Sequence, residues 1–274
     1  MRTYTREQAL IIELDNPSEL ATLAKATGSS IEQRFKQFGC KSGFLGGEGY
    51  SEAIRKARDG DNNLVPAAQA LLDSFGLDVE TTMRRSQWDL VGAPIVPAAM
   101  AGFPLSMRRK VPVEDQSAPL TIAISTTSSA GISPEELALR GTACLALVMK
   151  LCETRPVNML MFQEANNTKQ SLKATHLITH IETKPLSLAH ACYALTSQSY
   201  TRGLGMGYTF SQGDTGHWPD DYHSQGYADK LRARLGLSGR DVIIGGWHLN
   251  EHRDPHQWVK DKLAEIEASF SAEQ

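Results

Sequence analysis

The chain has 274 residues, 41% of them hydrophobic and 22% charged, with a formal net charge of -3. That length holds one large domain, or one domain with a sizeable appendage, and the charge balance excludes a polycation built to hold nucleic acid over its whole surface. No apolar run approaches the roughly 20 residues that cross a bilayer, so no membrane partner is expected.

The first residues, Met1 to Gln8, lack the apolar core of a signal peptide. The four cysteines (Cys40, Cys144, Cys152 and Cys192) form no CxxC pair. Both features point to a reducing, cytoplasmic setting. Gln8 to Leu14 is predicted as the first strand, and Asn16-Pro17-Ser18-Glu19 starts a helix with a cap, a proline and an acid. Further helices are expected over Ser30 to Phe38, Tyr50 to Arg58 and Asn63 to Phe75. The loop Gly43 to Gly49 invites a phosphate-cradle reading, but no Gly-Lys-Ser/Thr ends it and Glu48 stands where an anion would sit, so a tight connection is the better reading.

Thr81 to Trp88 and Met107 to Val113 read as strands flanking a Pro/Gly/Ala-rich connection. Between Thr81 and Val113 stand five basic residues (Arg84, Arg85, Arg108, Arg109, Lys110) and one acid, Asp89. If the two strands pair antiparallel, several cations and Trp88 share a face. Cations beside an aromatic platform suit single-stranded nucleic acid; a sheet edge guarded by charge is the structural alternative.

Leu120 to Ser125 is a β-branched run expected to be buried on both faces. Ser133-Pro134-Glu135-Glu136 then caps a long helix that runs to Leu151, and Val157 to Phe162 is the next strand. This strand–helix–strand unit is the centre of the fold. Leu172 to Ile181 is a further strand and Pro185 to Leu195 a short helix. Ser199 to His217, rich in glycine and aromatics, reads as a loop or hairpin tip, and its Tyr200, Arg202, Tyr208 and Phe210 form a second candidate nucleic-acid surface. Tyr222 to Leu235 is a helix, Asp241 to Gly245 a last buried strand, and Pro255 to Phe270 a closing helix.

The hydroxyl turn Ser125-Thr126-Thr127-Ser128-Ser129 ends a strand ahead of a helix N-terminus, the edge where open α/β sheets bind ligands. Its spacing resembles the Asp-x-Ser-x-Ser metal site of von Willebrand factor A-type domains, with Ser125, Thr127 and Ser129 at the three positions. Serine replaces the carboxylate a hard cation needs, so this is a degenerate site and no metal or other cofactor is expected there. No G-x-S-x-G elbow is present. His248, His252 and His256 recur every four residues, but Pro255 interrupts the run. His217, His223, Asp214, Asp220 and Asp221 match no standard metal spacing.

Trp88-Asp-Leu-Val-Gly-Ala-Pro-Ile-Val-Pro, Ala101-Gly-Phe-Pro-Leu-Ser-Met107 and Arg140-Gly-Thr-Ala-Cys-Leu-Ala-Leu147 together resemble an uncharacterised protein family found largely in bacteriophages, with Tyr50-Ser-Glu-Ala-Ile and Arg58-Asp-Gly-Asp61 as its N-terminal signature. The resemblance spans roughly Phe44 to Phe162 and implies a phage-encoded protein in the host cytoplasm. In size, and in a basic tryptophan-containing region without catalytic motifs, the chain also resembles the single-stranded DNA-binding activators that recruit viral RNA polymerase in N4-type phages.

The expected fold is α/β, a mainly parallel central sheet with helices on both faces (von Willebrand A-like or Rossmann-like) over residues 118–274, with a mixed α+β segment over residues 1–117. The expected function is non-enzymatic: binding of single-stranded DNA and recruitment of a phage polymerase or other viral protein. The alternatives are a protein–protein adaptor or virion component docking at Ser125 to Ser129, and a metal-dependent hydrolase or nuclease using the histidines from 217 to 256.

Overall fold

The computed structural model describes residues 1–38, 44–75, 84–89, 93–94, 96–100, 106–112, 119–127, 132–167, 172–183, 185–212, 222, 224–246 and 253–271. Two antiparallel strands open the chain, β1 (Arg2–Arg6) and β2 (Ala9–Leu14). Glu7 and Gln8 join them with φ of 47° and 58°. A two-residue hairpin needs that backbone twist, and here it is made without the Asn-Gly that usually announces it. For that reason β1, a polar edge strand, lies ahead of the predicted first strand.

Helix α1 (Pro17–Thr27) starts as its sequence demands, with the Asn16 side chain accepting from the Ser18 and Glu19 N–H groups at 3.1 and 3.2 Å. Helices α2 (Ser29–Phe38), α3 (Tyr50–Asp59) and α4 (Val65–Ser74) follow. Next come β3 (Arg84–Asp89), β4 (Ala93–Pro94), the short helix α5 (Val96–Met100) and β5 (Met107–Pro112). These three strands make their own sheet in the order β3-β5-β4.

The central unit is as the sequence reads it. Strand β6 (Leu120–Ser125), helix α6 (Pro134–Cys152) and strand β7 (Val157–Asn166) follow one another, and β6 lies parallel to β7. A capping box starts α6: Ser133 Oγ accepts from Glu136 N at 3.2 Å, and Ser133 N donates to the Glu136 carboxylate at 2.9 Å. Most of the helix is buried from Leu137 to Cys152, and Cys144, Cys152 and Cys192 are all buried. Strand β8 (Ala174–Ile181) then returns antiparallel to β7. The chain continues through α7 (Leu188–Thr196), a π-helical segment (Ser199–Gly205), α8 (Met206–Ser211), α9 (Tyr227–Leu235), β9 (Val242–Ile244) and α10 (Pro255–Ser271).

The main sheet has six strands in the order β1-β2-β8-β7-β6-β9. Pairings β2–β8, β7–β6 and β6–β9 are parallel; β1–β2 and β8–β7 are antiparallel. The fold is therefore α/β on a mixed sheet. Because β2 pairs with β8, residues near the N-terminus are woven into this sheet rather than laid against it. The last strand, expected to be buried, is an edge strand in which Val242 and Ile243 are half-buried.

Alternation along the strands separates two unequal faces. One carries Ile12, Leu14, Ile122, Ile124, Met159, Met161, Leu177 and Ile181 into the large core shared with α1, α3, α6, α7 and α10. The other carries Ile11, Ala123, Leu160, Phe162 and Ile178, and among the described residues α9 covers it through Leu231 and Leu235. No described helix is long and apolar enough to cross a membrane.

Candidate functional site

The basic strands pair antiparallel. Cα partners are Arg84–Pro112, Arg85–Val111, Ser86–Lys110, Gln87–Arg109 and Trp88–Arg108. Partners across a ladder share a face, and residues two apart along a strand share it too. Arg84, Trp88, Arg108 and Lys110 therefore hold positions on one face of this ribbon, and Arg85 and Arg109 on the other. Strand β5 is central, with Ala93 of β4 opposite Arg108 on its second side.

The second candidate surface needs correction. Ser199 to Ser211 is helical, and Tyr200, Arg202 and Tyr208 are only 2%, 1% and 8% exposed, so they offer no platform to a base. Phe210 is half-buried beneath the Arg34 guanidinium, 4.5 Å from the ring centre. The glycines that suggested a loop are contact residues. A Cβ on Gly203 would stand 2.4 Å from the Phe35 ring, and one on Gly205 would stand 2.1 Å from Gln163 Oε1. Glycine here lets a helix touch α2 and β7, which periodicity does not reveal. Burial lowers the pKa of Arg202, whose guanidinium donates to the Ile132 carbonyl at 3.2 Å and lies over the Phe44 ring.

This arginine ties the start of the glycine loop to the start of α6. Its guanidinium also reaches the Phe44 carbonyl at 3.5 Å, at the start of the glycine loop, while Ile132 directly precedes the cap of α6. Within the loop, Glu48 is engaged on both oxygens, by Lys56 Nζ at 2.6 Å and by the Tyr193 hydroxyl at 2.9 Å. Lys56 also pairs with Asp61 at 2.7 Å. The loop is thus clamped to α3 and α7 through its acid, as a structural connection requires.

At the strand end, Ser125 and Thr127 are 3% and 6% exposed; Ser129 lies outside the described residues. Ser125 Oγ accepts from Thr127 N at 3.3 Å, and Thr127 Oγ1 accepts from Glu164 N at 3.2 Å. A cation is already present beside this edge: Arg140 of α6, 2% exposed, donates to the carbonyls of Ser125 at 3.0 Å and Gly245 at 2.9 Å. It ties β6 to the segment after β9, a role its place in a helical Arg-Gly pattern did not signal. These hydroxyls are structural, and a partner docking directly on Ser125 and Thr127 would find them covered.

Glu164 and His176 are opposite each other on β7 and β8, 6% and 0% exposed, and the Glu164 charge adds to the burial that raises the pKa of Tyr222. Four residues further along β8, His180 is part-exposed and bonds to Glu13 at 2.7 Å. His256 stacks on Phe75 with ring centres 4.2 Å apart. His217, His223, His248, His252, Asp214, Asp220 and Asp221 lie outside the described residues. Among the described residues, no group of three or more His, Cys, Asp or Glu side chains is placed to hold a metal ion.

One feature escaped the sequence reading altogether. Inside the Pro/Gly/Ala-rich connection, α5 leaves Val96 58% and Met100 85% exposed. Their i, i+4 spacing was the available signal.

A family model described as a domain of unknown function, DUF7192, matches residues 3–263. The chain belongs to that family. The match runs from β1 into α10, so this DUF7192 domain comprises both sheets. No curated protein and no solved structure matches the chain.

Proposed function

We propose that this DUF7192 protein is a non-enzymatic binder of single-stranded DNA that grips the strand with the β3–β5 ribbon, as an accessory to replication or transcription. One observation carries the reading: the antiparallel register gives Arg84, Arg108 and Lys110 a common face with Trp88. Phosphates need fixed cations, and bases need an aromatic plane between them. The acidic net charge of the whole chain is no obstacle, because a strand responds to the local potential of the ribbon.

The test is fluorescence anisotropy with a labelled single-stranded oligonucleotide across a salt series. Binding should weaken with salt, and Arg108→Ala and Lys110→Ala should each flatten the salt slope by about 0.7 of a unit, the value for one phosphate on a single strand. Arg85→Ala and Arg109→Ala, at positions on the opposite face, should leave it nearly unchanged. Trp88→Ala should lower affinity while preserving the slope. Absence of binding at low salt, or equal loss from arginines of both faces, refutes the proposal.

A further inference from the structure

The described surface exposes four large apolar side chains, Met1, Val96, Met100 and Leu139, and two of them stand on the five-residue helix α5. Val96 and Met100 are one helical turn apart and therefore lie on the same side of α5. Pro94, also exposed, leads into that helix. The register fixes where this apolar group sits. Pro94 is the Cα partner of Met107 and Ala93 that of Arg108, while Trp88 faces Arg108 from the other strand. Helix α5 thus begins two residues after Pro94, at the Asp89–Met107 end of the ribbon.

We infer that Val96 and Met100 extend the base-contacting surface of this ribbon beyond Trp88, so that its ligand is nucleic acid with unstacked bases rather than duplex. The inference rests on the proposed function and deepens it. Between Thr81 and Val113 there are five basic residues and one acid, which calls for an anionic partner. A methionine 85% exposed on the connection between the two basic strands calls for a partner that is apolar as well. Single-stranded DNA has both properties in the right order: phosphates on one side and bare base faces on the other. Duplex DNA hides those faces in its stack, and an apolar side chain reaches them only by opening a base step. Methionine suits the task because its unbranched thioether adapts to any base without reading sequence.

The experiment compares the wild-type protein with Met100→Ser and Val96→Ser in anisotropy titrations against a single-stranded oligonucleotide and its duplex, with co-sedimentation on anionic phospholipid vesicles alongside. Both side chains are exposed, so the variants should keep the wild-type circular dichroism. Met100→Ser should lose about tenfold in affinity for the single strand, the equivalent of burying one methionine side chain, with an unchanged salt slope. Duplex affinity should hardly move, so the preference for single strands collapses. Wild-type protein that binds neither nucleic acid refutes the ribbon function itself. Single-strand binding that both variants retain in full refutes only the role of α5. Wild-type binding to vesicles that the variants lose, with nucleic-acid affinity intact, overturns the inference in favour of a lipid surface.

Discussion

Replacing Lys56 by methionine tests how the glycine loop is held. In the folded chain Lys56 Nζ lies 2.6 Å from Glu48 and 2.7 Å from Asp61, with the three side chains 12%, 19% and 6% exposed. Methionine fills the space of the stem and leaves two carboxylates facing each other without their shared cation. Breaking a buried pair from one side costs about 3–5 kcal/mol, because the remaining charge keeps its desolvation penalty. For a chain of this size that is a fall in Tm of roughly 6–20 °C. Chemical denaturation followed by circular dichroism gives the number directly. Adding Glu48→Gln and Asp61→Asn to Lys56→Met should recover most of the loss, since the penalty belongs to the orphaned charges and not to the missing lysine. Burial acts to lower the Lys56 pKa, and the hydrogen bonds to Asp61 and Glu48 outweigh it, so the net displacement is upward. A raised lysine stabilises the fold fully below its unfolded value of about 10.4 and loses that contribution as pH rises through the folded value. The gap between wild type and Lys56→Met should accordingly be constant from neutrality to about pH 10 and narrow above it. A loss under 1 kcal/mol for the single variant, or no recovery in the triple variant, would show that this cluster is solvated and the reasoning wrong.

Gly205→Ala should destabilise by about 1–3 kcal/mol, since its Cβ would force Gln163 away from the Thr201 carbonyl to which Nε2 donates at 2.9 Å; thermal melts of Gly205→Ala beside Gly47→Ala, whose added Cβ meets nothing but whose φ of 78° strains any other residue, separate crowding from backbone strain. Arg140→Met should cost about 2–4 kcal/mol by leaving the Ser125 and Gly245 carbonyls without their donor, and an equilibrium unfolding curve within 0.5 kcal/mol of wild type, roughly the level of a neutral surface change, would rule that role out. Burial is the largest cause raising the pKa of Tyr4, Tyr50, Tyr193, Tyr200, Tyr208 and Tyr222. Their neutral forms are favoured in the fold, so stability is complete below the unfolded value of about 10 and lost as pH rises above it. Tyrosinate absorbance should therefore appear together with unfolding, and a smooth titration near pH 10 with intact circular dichroism would contradict it. Burial likewise pushes the Cys192 thiol up to about 12, so a thiol reagent at pH 8 should label it only after denaturation.

The parts of the fold legible in the sequence are those governed by neighbours along the chain. Ser133-Pro134-Glu135-Glu136 is a capping box whichever way the helix is later packed, and the β-branched run before it has no competing period. Asn16-Pro17 starts α1 for the same reason. The parts not legible depend on contacts between residues far apart in sequence. Glycines 203 and 205 have the composition of a loop, but each answers to a single side chain on another element, the Phe35 ring or the Gln163 amide. Strand β1 was hidden because the Glu7-Gln8 turn adopts positive φ without a residue that favours it.

The same distinction decides what can be carried from sequence to function. Arg202 and Tyr200 are the residue types that hold a nucleic acid, and so are Arg108 and Trp88; composition cannot separate the two pairs. What separates them is the surface each element must bury. The segment from Ser199 lies between α2, α3 and β7, where a guanidinium survives only by donating to carbonyls, as Arg202 does to Ile132. The ribbon between β3 and β5 belongs instead to a sheet outside the six-stranded one, and Val96 and Met100 of the helix it carries remain exposed. A polar or aromatic residue in the first setting is explained by the fold. An exposed Met100 on the connection between two strands rich in arginine is not, and an apolar surface that the fold does not explain is where a search for a ligand should begin.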